Sequence, residues 1–227
     1  MSVAVVTGAG RGIGRAIALA LATRGLDVAL LARTTEELEE TAARVVGLGR
    51  RALAIRCDVT RANEIEQARD AILAELGAPQ VLVSNAGVVK RARVEAMTEA
   101  DWDYVLDVNL KGTFLVTRAF LPSMLAAKTG RCIAIASISG TLGTAEQSAY
   151  CASKWGVIGF TKSLAEELRG TGVQTACVSP GSVDTAMLDR SRFQPQMSPE
   201  DVAAVVTYAA LDAPAAIHGS AIDVFGS

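Results

Sequence analysis

Seven short apolar runs punctuate the chain, at residues 3–6, 28–32, 52–56, 81–84, 132–136, 173–178 and 221–224. Between them lie longer stretches with helical spacing of apolar positions, near 12–24, 35–47, 62–76, 99–127, 148–169 and 199–211. Strand-like runs alternating with helical stretches read as repeated βαβ units. The pattern predicts one α/β domain over 1–227, a Rossmann-type doubly wound parallel sheet of about seven strands with helices on both faces.

Local punctuation supports the division. Thr34 followed by Glu37 fits a capping box, and Ser198-Pro199-Glu200-Asp201 places proline and acids in a first helical turn. Gly25 and Gly77 stand where helices should stop. Residues 193–199 form the least regular stretch and are expected to be a surface loop. No internal repeat, low-complexity tract or long linker interrupts the pattern.

Composition narrows the class. A chain of 227 residues, 50% hydrophobic and only 4% aromatic, can bury one sizeable core. Lys+Arg 22 against Asp+Glu 24 offers no basic excess for gripping nucleic acid. No segment approaches the roughly 20 apolar residues of a membrane span, and the start at Met1-Ser2 lacks a signal-peptide layout. Cys57, Cys132, Cys151 and Cys177 are scattered without a C-x-x-C pair, which predicts reduced, packed thiols and a cytoplasmic setting rather than disulfides or a metal site. His218 is the single histidine, so a site built on several histidines is excluded. It is expected to be a turn residue before the last strand.

The first apolar run leads straight into Thr7-Gly8-Ala9-Gly10-Arg11-Gly12-Ile13-Gly14 and then a helical pattern. A lone G-x-G-x-x-G is a weak signal; strand, glycine-rich turn and helix in that order are a strong one for a dinucleotide site. Glycines permit positive φ and close approach to a pyrophosphate, which helix-start amides can bind. The second run ends at Arg33, where an acid would favour NAD and a base suits the 2′-phosphate of NADP. Arg33 and Thr34 therefore point to NADP, with NAD as the lesser alternative, and Arg11 could add a second charge. An arginine after a strand can also be plain solvated surface. Asp58 could accept from an adenine amino group, or simply hold a turn.

Tyr150 and Lys154 lie four apart, one turn of the same helix, just after the run that ends in Ser137. Many helices carry such a pair by chance. In this setting the lysine charge is expected to stabilise a phenolate and lower the tyrosine pKa from its usual value near ~10, giving an acid/base for a substrate oxygen.

With these pieces placed, the whole chain resembles the short-chain dehydrogenase/reductase family, near its 3-oxoacyl-carrier-protein reductase and carbonyl reductase branch. Residues 7–14 match T-G-x-x-x-G-x-G. Ser84-Asn85-Ala86-Gly87 is similar to N-N-A-G, with serine in place of the first asparagine. Asn109 matches a catalytic asparagine, Ser137 stands at the usual interval before Tyr150, and Pro180-Gly181-Ser182-Val183-Asp184-Thr185 matches P-G-x-V-x-T. The resemblance implies Tyr150 as general acid for reduction or base for oxidation, and Ser137 as the donor that polarises the carbonyl. It gives Lys154 the nicotinamide ribose, and Asn109 a water in the proton path. It implies cofactor contacts from Gly8, Gly10, Arg11, Gly12, Ile13, Gly14, Arg33, Thr34, Asp58, Val59, Asn85, Ala86, Gly87, Tyr150, Lys154, Pro180, Gly181, Val183 and Thr185, with no metal. Ser139 is a decoy for Ser137 and is expected to line the pocket.

The expected activity is NADP-dependent reduction of a ketone or 3-oxoacyl carbonyl to a secondary alcohol, reversibly. The alternatives are an NAD-dependent secondary-alcohol dehydrogenase and a non-catalytic NAD(P)-binding sensor. Val88, Val89, Leu142, Thr144, Met187 and Leu188 are candidate pocket walls, or else packing residues. A homotetramer or homodimer is implied, joined through the helices near 99–127 and 148–169. Thr171 stands where carrier-protein reductases usually have a base, which weakens an acyl carrier protein as partner, although Arg169, Lys128 and Arg131 lie nearby in sequence or in another docking region. Ala176 replaces a usual asparagine. The stretch from Thr185 to Ser198 is shorter than in most relatives and predicts a more open pocket, an idea that sealing by 188–197 would defeat.

Overall fold

The computed structural model describes residues 2–188 and 194–226. Its strands are β1 (Val3–Thr7), β2 (Asp27–Ala32), β3 (Ala52–Arg56), β4 (Val81–Ser84), β5 (Gly130–Ile135), β6 (Val173–Pro180) and β7 (Ala221–Val224). They form one parallel sheet in the order β3-β2-β1-β4-β5-β6-β7. The helices are α1 (Gly12–Thr23), α2 (Thr35–Gly47), α3 (Ala62–Glu75), α4 (Glu99–Leu106), α5 (Gly112–Ala127), α6 (Ser148–Glu167) and α7 (Pro199–Leu211).

Alternation along β1 shows why the runs are apolar throughout. Ala4 and Val6 enter a core with Ile17 and Leu21 of α1 and Val202 and Val206 of α7, whereas Val5 enters the opposite core with Ile65 of α3 and Phe120 and Met124 of α5. Both faces are dry, so no polar alternation survives. Since β1 sends the chain outward to β2 and β4 lies on its other side, the order reverses between β1 and β4. The carboxyl ends of those two strands open a crevice there, the usual ligand position of such sheets.

Gly25 and Gly77 end α1 and α3 at φ +90° and +95°. Ser198 and Asp201 form a complete capping box on α7. The Thr34–Glu37 box does not form: Thr34 makes no side-chain cap bond, and the Glu37 carboxylate pairs with Arg11 at 3.1 Å. The helical stretch 99–127 is interrupted by a wide π turn, Asp107–Lys111, between α4 and α5. The loop expected at 193–199 and the lid at 188–197 lie partly outside the described residues; within them, Met197 is buried and bridges Val183.

All four cysteines are free thiols. Burial pushes Cys57 and Cys132 up to about 12 and Cys177 up to about 11, which keeps them protonated and inert. His218 is a structural clip: its Nδ1 accepts from the Thr175 amide at 3.1 Å and its Nε2 lies 2.8 Å from the Ala165 carbonyl. Among the described residues, no helix is long and apolar enough to cross a membrane, and no group of three metal-ligating side chains converges.

Candidate active site

A cleft of about 960 Å³ opens at the β1/β4 reversal. Its floor is latched by Thr7, whose Oγ1 accepts from the amides of Asn85 and Ala86 at 3.0 Å each. Asn85 answers by donating Nδ2 to the Thr7 carbonyl at 2.9 Å. The glycine loop is therefore tied to the turn after β4, with Asn85 serving as a brace.

Two glycines of the loop are obligatory for different reasons. Gly8 turns the chain at φ +65°. A Cβ on Gly14 would stand 2.1 Å from the Gly8 carbonyl oxygen, so α1 packs on the loop only because no side chain intervenes. No side chain caps the start of α1, and its first turn carries no acid, which leaves its leading amides facing the cleft as anion donors. A bare backbone cradle at a helix start fits the pyrophosphate of a dinucleotide.

Further along, Arg33 lines the cleft at the end of β2 and donates to the Tyr104 hydroxyl at 2.9 Å. Arg11 lines it as well, but its charge is shared with Glu37. Burial works against the Asp58 charge, yet hydrogen bonds from the Thr60 amide and hydroxyl, with Arg33 and Arg61 nearby, hold its carboxyl below the usual carboxylate range.

At the other end, Ser137 follows β5 and Tyr150 and Lys154 project from the first turns of α6. Ser137 Oγ donates to the Pro180 carbonyl at 3.4 Å and accepts from the Ser139 amide at 3.1 Å, and it lies on the same cleft as the Tyr150 phenol. Lys154 is buried and donates Nζ to the Ile135 carbonyl at 2.7 Å. The expected lysine tuning is not what the structure displays. Burial pushes the phenol above its ordinary value, the Ser137 hydroxyl opposes this, and the cation that lowers it is Arg91 rather than Lys154. Lys154 Nζ lies over the ring, 5.6 Å from its centre, and burial lowers its own pKa to about 8.

Asn109 sits in the π turn beneath the cleft. Its Oδ1 accepts from the Val88 amide at 2.8 Å, and its Nδ2 donates to the Val88 carbonyl and to Ser153 Oγ, both at 2.9 Å. Both Nδ2 hydrogens are thus engaged in fixing the loop after β4 against α6. A Cβ on Gly87 would meet Asn109 Oδ1 at 3.4 Å and Lys154 Nζ at 3.7 Å, so this glycine lies between the two side chains.

All the residues expected to touch a cofactor line this one cleft, from Gly8 through Thr185, together with Ser137 and Ser139. Val88, Val89, Thr144, Met187 and Leu188 line it too. Leu142 does not; it is 55% exposed. Arg131 is tied to the Ala209 carbonyl at 2.6 Å, at the end of α7, and is no free docking charge. Two residues went unread in the sequence. Thr7 sits inside the matched loop, but nothing signals its latch, and Arg91 is hidden in the charged run from Lys90 to Arg93.

The short chain dehydrogenase family model matches residues 2–196. The chain is similar to a 3-oxoacyl-[acyl-carrier-protein] reductase of Synechocystis sp., 38% identical over 99% of this chain and 95% of that protein. It is also similar to a D-threitol dehydrogenase of Mycolicibacterium smegmatis, 37% identical over 99% of this chain and 91% of that protein. The crystal structure of a short-chain type dehydrogenase/reductase from Mycobacterium marinum superposes with a TM-score of 0.94 at 32% identity, covering 99% of this chain and 94% of that one.

Proposed function

This chain belongs to the short chain dehydrogenase family, oxidoreductases that act on CH–OH and C=O groups, and from that premise we propose that it reduces a ketone or 3-oxoacyl carbonyl to a secondary alcohol, reversibly, with NADPH. The observation that carries the reading is the gathering of Ser137, Tyr150 and Lys154 on one cleft with the glycine cradle, with Lys154 Nζ 5.6 Å from the Tyr150 ring centre.

The amides at the start of α1 would hold the pyrophosphate, Asp58 the adenine amino group, and Lys154 the nicotinamide ribose. The segment from Pro180 to Thr185 would meet the nicotinamide amide. When bound, the dinucleotide supplies the hydride; the chain supplies position and electrostatics. Ser137 donates to the carbonyl oxygen, where negative charge develops. The Tyr150 O–H breaks and its proton passes to that oxygen, completing the alcohol. The resulting phenolate lies beside the Lys154 ammonium, and in oxidation the same groups run the steps backwards.

Arg33, with no acid at the end of β2, supports NADPH. Glu37 partly offsets Arg11, so the preference rests mainly on Arg33. The relatives are named for a carrier-protein thioester and for a sugar alcohol, which supports the reaction class and leaves the substrate open. A second copy of the chain is the partner we favour: Phe114 on α5 and Trp155 on α6 are 42% and 54% exposed on the two helices expected to mediate association.

The test is loss of reduced-nicotinamide absorbance with NADPH and NADH in parallel, across simple ketones, diketones, 3-oxo esters and a 3-oxoacyl thioester. Turnover favouring NADPH supports the assignment. Tight nucleotide binding without turnover of any substrate would favour a sensor instead.

A further inference from the structure

Arg91 is a charged wall of the substrate end of the cleft that the reaction as described does not use. It lines the cleft alongside Ser137, Tyr150 and Gln147. Its backbone is fixed, because neighbouring Ala92 bridges Gln147 and donates its amide to the Glu146 carbonyl at 2.9 Å. The side chain reaches across the cleft, where Nη2 donates to the Met187 carbonyl at 3.1 Å. That is its only hydrogen bond among the described residues, although a guanidinium has five N–H donors. Its Nε is buried with no partner. Among the described residues no carboxylate lies within ion-pair distance of it, whereas Arg11, Arg15, Arg24, Arg50 and Arg51 are all paired.

A buried guanidinium N–H without an acceptor is costly unless something fills the position. Val88, Val89, Met187 and Leu188 give the cleft apolar walls, and its acceptor side chains among the described residues, Gln147 and Asp184 included, make no hydrogen bond to Arg91. A guanidinium edge matches a carboxylate with two parallel N–H bonds, which an ammonium cannot reproduce.

We propose that Arg91 is a specificity residue that binds a carboxylate on the substrate, so that the enzyme acts on short oxo acids, with an apolar body, in preference to neutral ketones. The proposal rests on the carbonyl-reductase reading above and narrows its substrate class. The same cation also favours the developing Tyr150 phenolate, so an anionic substrate would partly neutralise it.

The test compares 3-oxo and 4-oxo carboxylic acids with their methyl esters, and with a phosphate-bearing ketone of similar length, in the native enzyme, Arg91→Lys and Arg91→Met. Folding is monitored by thermal melting, and kcat and KM are separated. The proposal predicts that the native enzyme favours acid over ester at least tenfold in kcat/KM, mostly through KM. Arg91→Met should erase that ratio, and Arg91→Lys should restore only part of it. Preference for the phosphate over both acids would replace the carboxylate by a phosphoryl group and overturn the proposal as stated. Acid and ester reduced alike, or an acid preference that survives Arg91→Met, would overturn it while leaving the reductase reading intact. No turnover of any carbonyl with either nucleotide would overturn both.

Discussion

The Lys154 ammonium lies 5.6 Å from the centre of the Tyr150 ring and donates not to the phenol but to the Ile135 carbonyl, at 2.7 Å. The acid of the proposed reaction is therefore kept protonated by burial, which Ser137 and Arg91 oppose without reversing.

The pH dependence follows from the phenol. Burial pushes Tyr150 above its ordinary pKa, so it stays protonated through the neutral range. Reduction uses that proton and should run level from roughly pH 6 to 9; oxidation needs the phenolate and should climb with pH over the same span. Rate profiles in both directions at saturating nucleotide check this. An oxidation rate already level near neutrality would mean that the loaded site lowers the phenol pKa after all.

Lys154 should cost stability. Its folded pKa of about 8 lies below its ordinary 10.5, so the unfolded chain binds the proton more tightly. The penalty is fully present below about pH 8 and fades as pH rises towards 10.5, on the order of 3 kcal/mol at its largest. The predicted outcome for Lys154→Met is a higher Tm than the native protein at pH 7, a gain that shrinks by pH 10, together with lost turnover. Melting curves at the two pH values decide it, and a gain that grows with pH would contradict the sign.

Gly14→Ala should damage the fold and the nucleotide site together. Its Cβ would meet backbone, the Gly8 carbonyl, at 2.1 Å, which cannot rotate away, and would displace Asn85 Nδ2, at 2.5 Å, from its bond to the Thr7 carbonyl. Destabilisation of about 1–3 kcal/mol or more is expected, with weakened nucleotide binding. Gly10→Ala, where the nearest atom is the Glu37 Cβ at 2.9 Å, should be milder. Parallel melting and nucleotide titration of the two variants would expose the opposite order.

Cofactor choice should respond to Arg33 and Glu37 in opposite directions. Arg33→Ala removes a charge-assisted contact and should weaken NADPH binding about 10- to 100-fold with little effect on NADH. Glu37→Gln releases Arg11 from its ion pair and should tighten NADPH. Fluorescence titration of both nucleotides measures each change, and equal losses for NADPH and NADH in Arg33→Ala would argue against a 2′-phosphate contact.

How much of this was legible in sequence depended on whether a residue acts through its neighbours in the chain or across it. The strands were readable to within a residue or two, because central runs such as β1 and β4, buried on both faces, leave an uninterrupted apolar signature, and the half-exposed edge strands β3 and β7 are still short apolar runs. The glycine loop and the Tyr150–Lys154 pair were readable because their spacing is local. The Thr7 latch, the Asn109 clamp on Val88 and the Arg91 span to Met187 join positions 78, 21 and 96 residues apart, and no local pattern marks them. Thr34 and Glu37 carried the local signature of a cap, but Thr34 makes no cap bond and the Glu37 carboxylate pairs with Arg11, 26 residues away. The phenol pKa failed for a related reason: spacing places a lysine on the same helix face, but burial and the Ile135 carbonyl decide what it does there.

Replacing Tyr150 with Phe tests the central claim most directly, because it removes one hydroxyl from an otherwise unchanged ring. NADPH affinity and ketone-dependent nucleotide oxidation would be measured side by side on the variant and the native enzyme. Binding within a few-fold of native and turnover reduced about a thousandfold is the predicted result, in line with the loss of a general acid. Turnover retained at near the native rate would contradict it.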